Sequence, residues 1–210
     1  MNNENQQFFR GGILFVVSAP SGAGKTTLCD SLRLKPDFVY SVSTTTRAPR
    51  PGEIDGEDYH FVSKETFLEM IEKDAFLEYA EVHGNLYGTS KQTVLDNLNN
   101  GIDVLIDIDI QGAELIRRCK DSIIQSALVD IFIMPPNLAE LRRRLIKRGT
   151  ETEEQINIRI QNAATEMQHW QDYKYTIISG SMEEDIEKFR AVMRAERYAS
   201  ARMSQLPKKP

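Results

Sequence analysis

The sequence predicts an α/β protein with a central parallel sheet flanked by helices, and three observations predict it. Apolar, β-branched runs recur at 13–17, 39–43, 104–108, 129–134 and 175–178, as expected of strands covered on both faces. Helical patterns with their own start and stop residues separate most of these runs, the alternation that builds parallel sheets. The first run, ILFVV, leads straight into SAPSGAGKTT (18–27), a glycine-bearing turn between a strand and a helix.

In chain order, strand 13–17 is followed by a loop that fits G-x-x-x-x-G-K-[ST] at Gly24, Lys25 and Thr26, with Ala19 where the first glycine belongs. Gly22 and Gly24 still let backbone N–H groups turn inward around an anion, and a helix opening near Lys25 points the positive end of its dipole there. Ser18, Ala19, Pro20, Ser21, Gly22, Ala23, Gly24, Lys25, Thr26 and Thr27 are therefore expected to cradle a nucleoside triphosphate. Lys25 would bridge its β- and γ-phosphates, and the Thr26 hydroxyl would ligate Mg²⁺. The loop does not disclose the acceptor, because ATPases, GTPases and kinases share it.

After strand 39–43 comes a segment, 44–88, that begins TTTRAPRPGEIDGEDYHF. It holds no long apolar strand and reads as an insertion on the parallel sheet, with a short helix near 64–73. Ser90 starts a helix that stops at Gly101, and strand 104–108 ends in LIDIDIQG. Strand 129–134 precedes a helix that Asn137 and Glu140 begin and Gly149 ends; Thr152 and Gln155 begin another over 153–169. Leu138, Leu141, Leu145 and Ile146 form one apolar stripe, and Phe189, Val192 and Met193 another. Both are read as core.

Several functions are excluded. A net charge of −5 and a pI near 5.4 argue against a nucleic-acid coat. No run approaches the roughly 18–20 apolar residues of a membrane span, and the first twelve residues lack a secretory pattern. A soluble cytoplasmic protein is expected, with homo-oligomer formation left open. Cys29 and Cys119 read as small core residues, and His60, His83 and His169 share no metal spacing.

In the inserted segment, Arg47 and Arg50 flank a stiff Ala-Pro unit, so both guanidinium forks can face one dianion. Tyr59 and Tyr87 can donate O–H groups to the same phosphate; the plainer alternative is a solvated basic turn. Asp107 and Asp109 alternate at the carboxyl end of a strand and share a side, where ligands collect in parallel sheets. Their roles are interchangeable at this level. Arg144 and Arg148 lie four apart on one helical face, with Arg159 on the next helix. Salt bridging to nearby glutamates is their plainer reading.

SAPSGAGKTT, SVSTTTRAPRPGEIDGEDYHF, FLEYAEVHGNLYGTS, LIDIDIQG and RRRLIKRGTETEEQI occur in this order. Over about residues 12–195 the chain thereby resembles the guanylate kinase family of nucleoside monophosphate kinases. The resemblance implies a P-loop kinase fold with an inserted acceptor-binding segment (43–90), a mobile lid (137–165) and a single domain over 11–198, with 1–10 and 202–210 as flexible tails. It implies transfer of the γ-phosphoryl group of ATP to GMP, and to dGMP, with Mg²⁺ bound alongside ATP. Arg47, Arg50, Tyr59 and Tyr87 would hold the GMP phosphate, and Ser43, Glu78, Thr89 and Asp109 would surround the guanine. Asp107 would stand near the metal or its waters, and Lys25, Arg144, Arg148 and Arg159 would neutralise the transferred group. Guanine presents two adjacent donors, N1–H and N2–H, that one carboxylate can accept together, which makes Glu78 the candidate for base choice.

The chain departs from the family where Ser179 and Gly180 replace the usual Asn-Asp, which leaves the donor-base contact unassigned. The rival readings are a non-catalytic peptide-binding module of guanylate-kinase type and a kinase for another monophosphate, such as dTMP or AMP. Retention of Gly24, Lys25, Thr26 and the arginines weighs against the first, and Glu78, Thr89 and Ser43 weigh against the second.

Overall fold

The structure, a computed structural model, describes residues 8–82, 84–149 and 152–205, without the side chains of Phe8, Arg148, Ser204 and Gln205. His83 and most of the two expected tails lie outside the described residues. In chain order the elements are β1 (Phe8–Arg10), β2 (Leu14–Ser18), α1 (Lys25–Arg33), β3 (Val39–Tyr40), β4 (Thr44–Thr45), β5 (His60–Phe61), α2 (Lys64–Glu72), β6 (Phe76–Val82), β7 (Asn85–Ser90), α3 (Lys91–Asn99), β8 (Val104–Asp107), α4 (Ile110–Arg118), α5 (Ser122–Ala127), β9 (Leu128–Met134), α6 (Leu138–Arg148), α7 (Glu153–Glu166), β10 (Tyr175–Ile178), α8 (Met182–Arg197) and β11 (Met203–Gln205).

Among the described residues the main sheet has the order β10-β9-β2-β8-β3, with every neighbouring pair parallel. Side-chain alternation along β2 explains its unbroken apolar run. Ile13, Phe15 and Val17 join Leu28, Leu32, Phe189 and Met193 in one buried cluster. Leu14 and Val16 join Val94, Leu98, Ile116 and Ile124 in another. Covering both faces removes water from each strand side chain, worth about 1.5–3 kcal/mol per large apolar residue. In the register, Val17 pairs with Asp107, so the loop after β2 opens beside the acidic end of β8.

The inserted segment builds a second sheet, ordered β5-β4-β7-β6, in which β7 pairs antiparallel with β4 and β6. Its strands escape an apolar-run search because they are half-exposed: FLEYAEV alternates buried and more open residues, with Phe76 and Glu78 buried. The expected strand 39–43 is likewise shortened to Val39–Tyr40, after which the chain crosses to β4.

The helix starts behave as their residues dictate. Asn137 accepts from the Glu140 amide, and Thr152 with Gln155 forms a complete capping box. Of the α6 stripe, Leu141 and Leu145 are buried and Leu138 packs beside them, but Ile146 is 56% exposed. One step round the helix carries Ile146 off the packed face. The helix expected over 153–169 ends at Glu166 and continues as a 3₁₀ turn through Asp172. Cys29 is buried as expected, whereas Cys119 is only partly so.

Residues 8–10 and 203–205, which fall within the expected tails, instead pair as an antiparallel ribbon. Beside it, Asp103 is 3% exposed and accepts from Arg10 Nη1 at 2.5 Å, Arg197 Nε at 2.7 Å and the Ile13 amide at 3.0 Å. Asp103→Ala would remove the carboxylate shared by Arg10 and Arg197, although Arg197 keeps Asp37 as a partner, and would leave the buried Ile13 amide without its acceptor, a loss of about 1–3 kcal/mol. Urea unfolding is the check; a loss under about 1 kcal/mol would show that the network contributes only as an exposed ion pair does.

Candidate active site

Helix α1 starts on Gly24, in a left-handed conformation (φ 98°), without a side-chain cap. Every other α-helix described carries a capping side chain: Ser63, Ser90, Asp109, Asp121, Asn137, Thr152 or Ser181. The first amides of α1 are thus left for an outside anion, which is how a helix start becomes a phosphate site. Gly22 (φ 85°) is required twice over, because an added Cβ would also lie 2.7 Å from Leu145 Cδ2. Residues 19–28 line a cavity of about 1560 Å³ together with Asp109, Arg144, Arg159 and Ser179.

Lys25 Nζ donates to the Ile108 carbonyl at 2.9 Å and stands 3.7 Å from Asp107 Oδ2. The Tyr40 phenol donates to Asp107 Oδ1 at 2.5 Å. Asp109 instead caps α4 by accepting from the Gly112 amide at 2.8 Å, and its charge is felt by Glu78. The two aspartates, interchangeable in sequence, therefore face different neighbours: Asp107 the lysine, Asp109 the buried glutamate.

Glu78 is 6% exposed and accepts from the Thr89 hydroxyl at 2.6 Å, across the β6–β7 pair. Burial pushes its carboxyl up to about 7; the Thr89 hydrogen bond opposes this and the Asp109 charge adds to it. A Cβ at Gly112 would come within 2.8 Å of Glu78 Oε2, so the close approach of α4 to the glutamate needs a glycine there.

Arg47 lies 5.3 Å above the Tyr59 ring, and the Tyr59 and Tyr87 rings are 5.9 Å apart. Arg47 Nη2 donates to Glu53 Oε1 at 2.8 Å, while the Arg50 amide donates to Glu53 Oε2 at 2.7 Å. The Arg50 side chain is exposed. Burial pushes the Tyr59 phenol up, and the charge of Asp107 adds to this. The Ser43 carbonyl accepts from the His60 amide at 2.9 Å, anchoring β5 to the stretch before β4.

On the other side of the loop, Arg144 donates to Glu140 Oε1 (2.9 Å), Ser179 Oγ (3.0 Å) and the Ala23 carbonyl (3.2 Å). Ser179 in turn donates to the buried Asp185 at 2.7 Å, and the Gly180 amide donates to the same carboxylate at 2.8 Å. An added Cβ at Gly180 would sit 2.2 Å from the Glu184 carboxylate that caps α8. Arg159 Nη1 donates to Ser21 Oγ at 3.2 Å, and Glu166 accepts from the Ser21 amide at 2.9 Å. The Arg148 side chain lies outside the described residues. Sequence reasoning missed Tyr40, Glu53, Glu166 and Asp185. Tyr40 obeys the same end-of-strand rule that picked out Asp107, whereas the other three carry no motif.

An uncapped helix start, a glycine loop and a lysine over the carboxyl end of a parallel sheet define a P-loop phosphotransferase. The family model described as guanylate kinase matches residues 12–196, and the chain belongs to the guanylate kinase family. It is 48% identical to a guanylate kinase of Caldanaerobacter subterraneus over 187 residues, covering 89% of this chain and 88% of that one. It is 46% identical to one of Maricaulis maris over 198 residues, covering 92% and 89%. The crystal structure of guanylate kinase from Anaplasma phagocytophilum superposes with a TM-score of 0.77 at 36% identity, over 94% of this chain and 92% of that one. No helix among the described residues is long and apolar enough to cross a membrane.

Proposed function

We propose that the chain transfers the γ-phosphoryl group of ATP to GMP, and to dGMP, giving ADP and the guanosine diphosphate. The observation that carries this reading is the buried Glu78 carboxylate, held by Thr89, flanked by Asp109 and Gly112 and within electrostatic reach of the loop lysine, Lys25. A base offering two adjacent N–H donors satisfies such a carboxylate; adenine would set its N1 lone pair against it and be repelled.

On this reading, the amides of Gly22, Gly24, Lys25 and Thr26 cradle the β-phosphate, the Ala23 amide being taken by the Pro20 carbonyl at 3.0 Å, and Lys25 leaves the Ile108 carbonyl to bridge β- and γ-oxygens. Arg47, Arg50, Tyr59 and Tyr87 hold the GMP phosphate, Ser43 and Thr89 support the base pocket, and Arg144, Arg148 and Arg159 close from 137–165 onto the transferred group. The acceptor is already an anion and needs no strong general base, so alignment and charge neutralisation carry the step. Closure also excludes water, which would compete as acceptor.

Among the described residues no group of three or more His, Cys, Asp or Glu could cage a metal. One hydroxyl, Thr26, and one carboxylate, Asp107, at the loop suit Mg²⁺, which takes few protein oxygens and completes its shell with phosphates and water. Mg²⁺ bound with ATP would supply charge neutralisation at the β- and γ-oxygens.

The test is an ADP-release assay with Mg-ATP and GMP, dGMP, AMP, CMP, UMP or dTMP in parallel. Turnover confined to the guanine monophosphates is expected. Equal turnover with AMP would remove the account of base choice, and no turnover from folded protein would remove the reaction.

A further inference from the structure

We infer that Tyr40 is a positioning residue that fixes the Asp107 carboxylate toward the phosphate loop, an inference that rests on the placement of Asp107 on the metal side of the donor site. The juxtaposition starts in the sheet. Tyr40 is the last residue of the edge strand β3 and pairs with Leu105, two residues before Asp107, so its phenol reaches the carboxylate that ends the neighbouring strand. Oδ1 accepts from that phenol at 2.5 Å, and Oδ2 is left facing Lys25 Nζ at 3.7 Å.

A carboxylate at a strand end rotates freely about its last bond unless one oxygen is held. Holding Oδ1 decides where Oδ2 points, the division of labour by which an outer hydrogen bond orients a ligating group. The ring is itself fixed from behind, since the Arg33 guanidinium carbon lies 4.4 Å from its centroid. Arg33 stands in the last turn of α1, whose first residue is Lys25. The helix that presents the lysine at one end therefore braces, at its other end, the phenol that aims the lysine's acidic neighbour. Phenylalanine at position 40 would keep the ring, its burial and the arginine contact, and would lose only the hydroxyl.

The experiment compares full-length wild type with Tyr40→Phe, Asp107→Asn and the double variant, each checked for folding by circular dichroism. One readout is Mn²⁺ affinity of the enzyme–ADP complex by electron paramagnetic resonance; the other is kcat and KM for Mg-ATP and GMP. Tyr40→Phe is expected to weaken Mn²⁺ binding about tenfold, the low end for loss of an outer-shell partner. Its kcat/KM for Mg-ATP falls by a similar factor while KM for GMP is unchanged. In the Asp107→Asn background the second substitution adds nothing, because the group it positions is gone. Additive losses, or a Tyr40→Phe enzyme whose Mn²⁺ affinity matches wild type while only its melting temperature falls, would overturn the inference. If Asp107→Asn itself leaves Mn²⁺ binding unchanged, the placement of Asp107 beside the metal fails and the inference falls with it.

Discussion

Lys25→Ala is expected to lower kcat by about 10²–10³-fold, the cost of removing one preorganised charge-stabilising donor, while the protein stays folded. The lysine side chain is partly exposed and holds only the Ile108 carbonyl and the distant edge of Asp107. Alanine is the best helix former for the first position of α1. The loss belongs in kcat because the bridging charge matters most when the γ-phosphoryl group is between its two oxygens. Lys25→Arg is not expected to rescue it, since a planar fork does not fit where a compact ammonium must enter the loop. Steady-state kinetics beside a thermal melt decide the matter; a folded Lys25→Ala enzyme keeping a tenth of wild-type turnover would sink the role.

Glu78→Gln is expected to lower kcat/KM for GMP by about 5- to 150-fold, mainly through KM. The amide would set a donor against a guanine donor and leave one buried group unpaired, at about 1–3 kcal/mol for each unpaired group. The pH dependence provides a second check with a definite sign. Burial raises Glu78 from its ordinary 4.5 to about 7, so unliganded protein carries it half protonated near neutrality. GMP affinity should rise as pH passes through 7 and then level off, and Glu78→Gln should flatten that rise. For stability the sense is reversed. Between 4.5 and 7 the folded state holds a proton that the unfolded chain has released, so stability falls as pH climbs through this window. Glu78→Gln should therefore melt higher than wild type at pH 8 and level with it near pH 4.5; a melting difference that does not vary with pH would contradict the burial account.

What the sequence disclosed follows from what each region must do alone. The main sheet was legible because its strands are apolar throughout, and the phosphate loop because its glycines, Lys25 and Thr26 are consecutive. The second sheet was hidden because β4 to β7 are short or half-wet, so burial of Glu78 against Thr89 depends on a strand pairing that periodicity does not announce. α4 and α5 were likewise not anticipated. The separation of Asp107 from Asp109 was illegible for another reason: it depends on helix α4 beginning at Ile110 and claiming Asp109 as its cap. Tyr40, like Asp107, ends a parallel strand, whereas Glu53 stands beside a recognised arginine in space with nothing in its local spacing to mark it.

The contact between Arg47 and Glu53 has a consequence for how the acceptor arrives. Glu53 offers one oxygen to the Arg47 guanidinium and the other to the Arg50 amide, and Arg47 holds its carboxyl below the usual carboxylate range. The waiting segment is thus already loaded with an anion of its own. In the proposed cycle, GMP enters by ion exchange: its phosphate replaces a tethered counter-ion, and the electrostatic gain is the difference between a dianion and a carboxylate on the same arginine. Binding of this kind would be less sensitive to added salt than capture by a bare arginine pair, and on product release Glu53 would refill the site in place of a solvent anion.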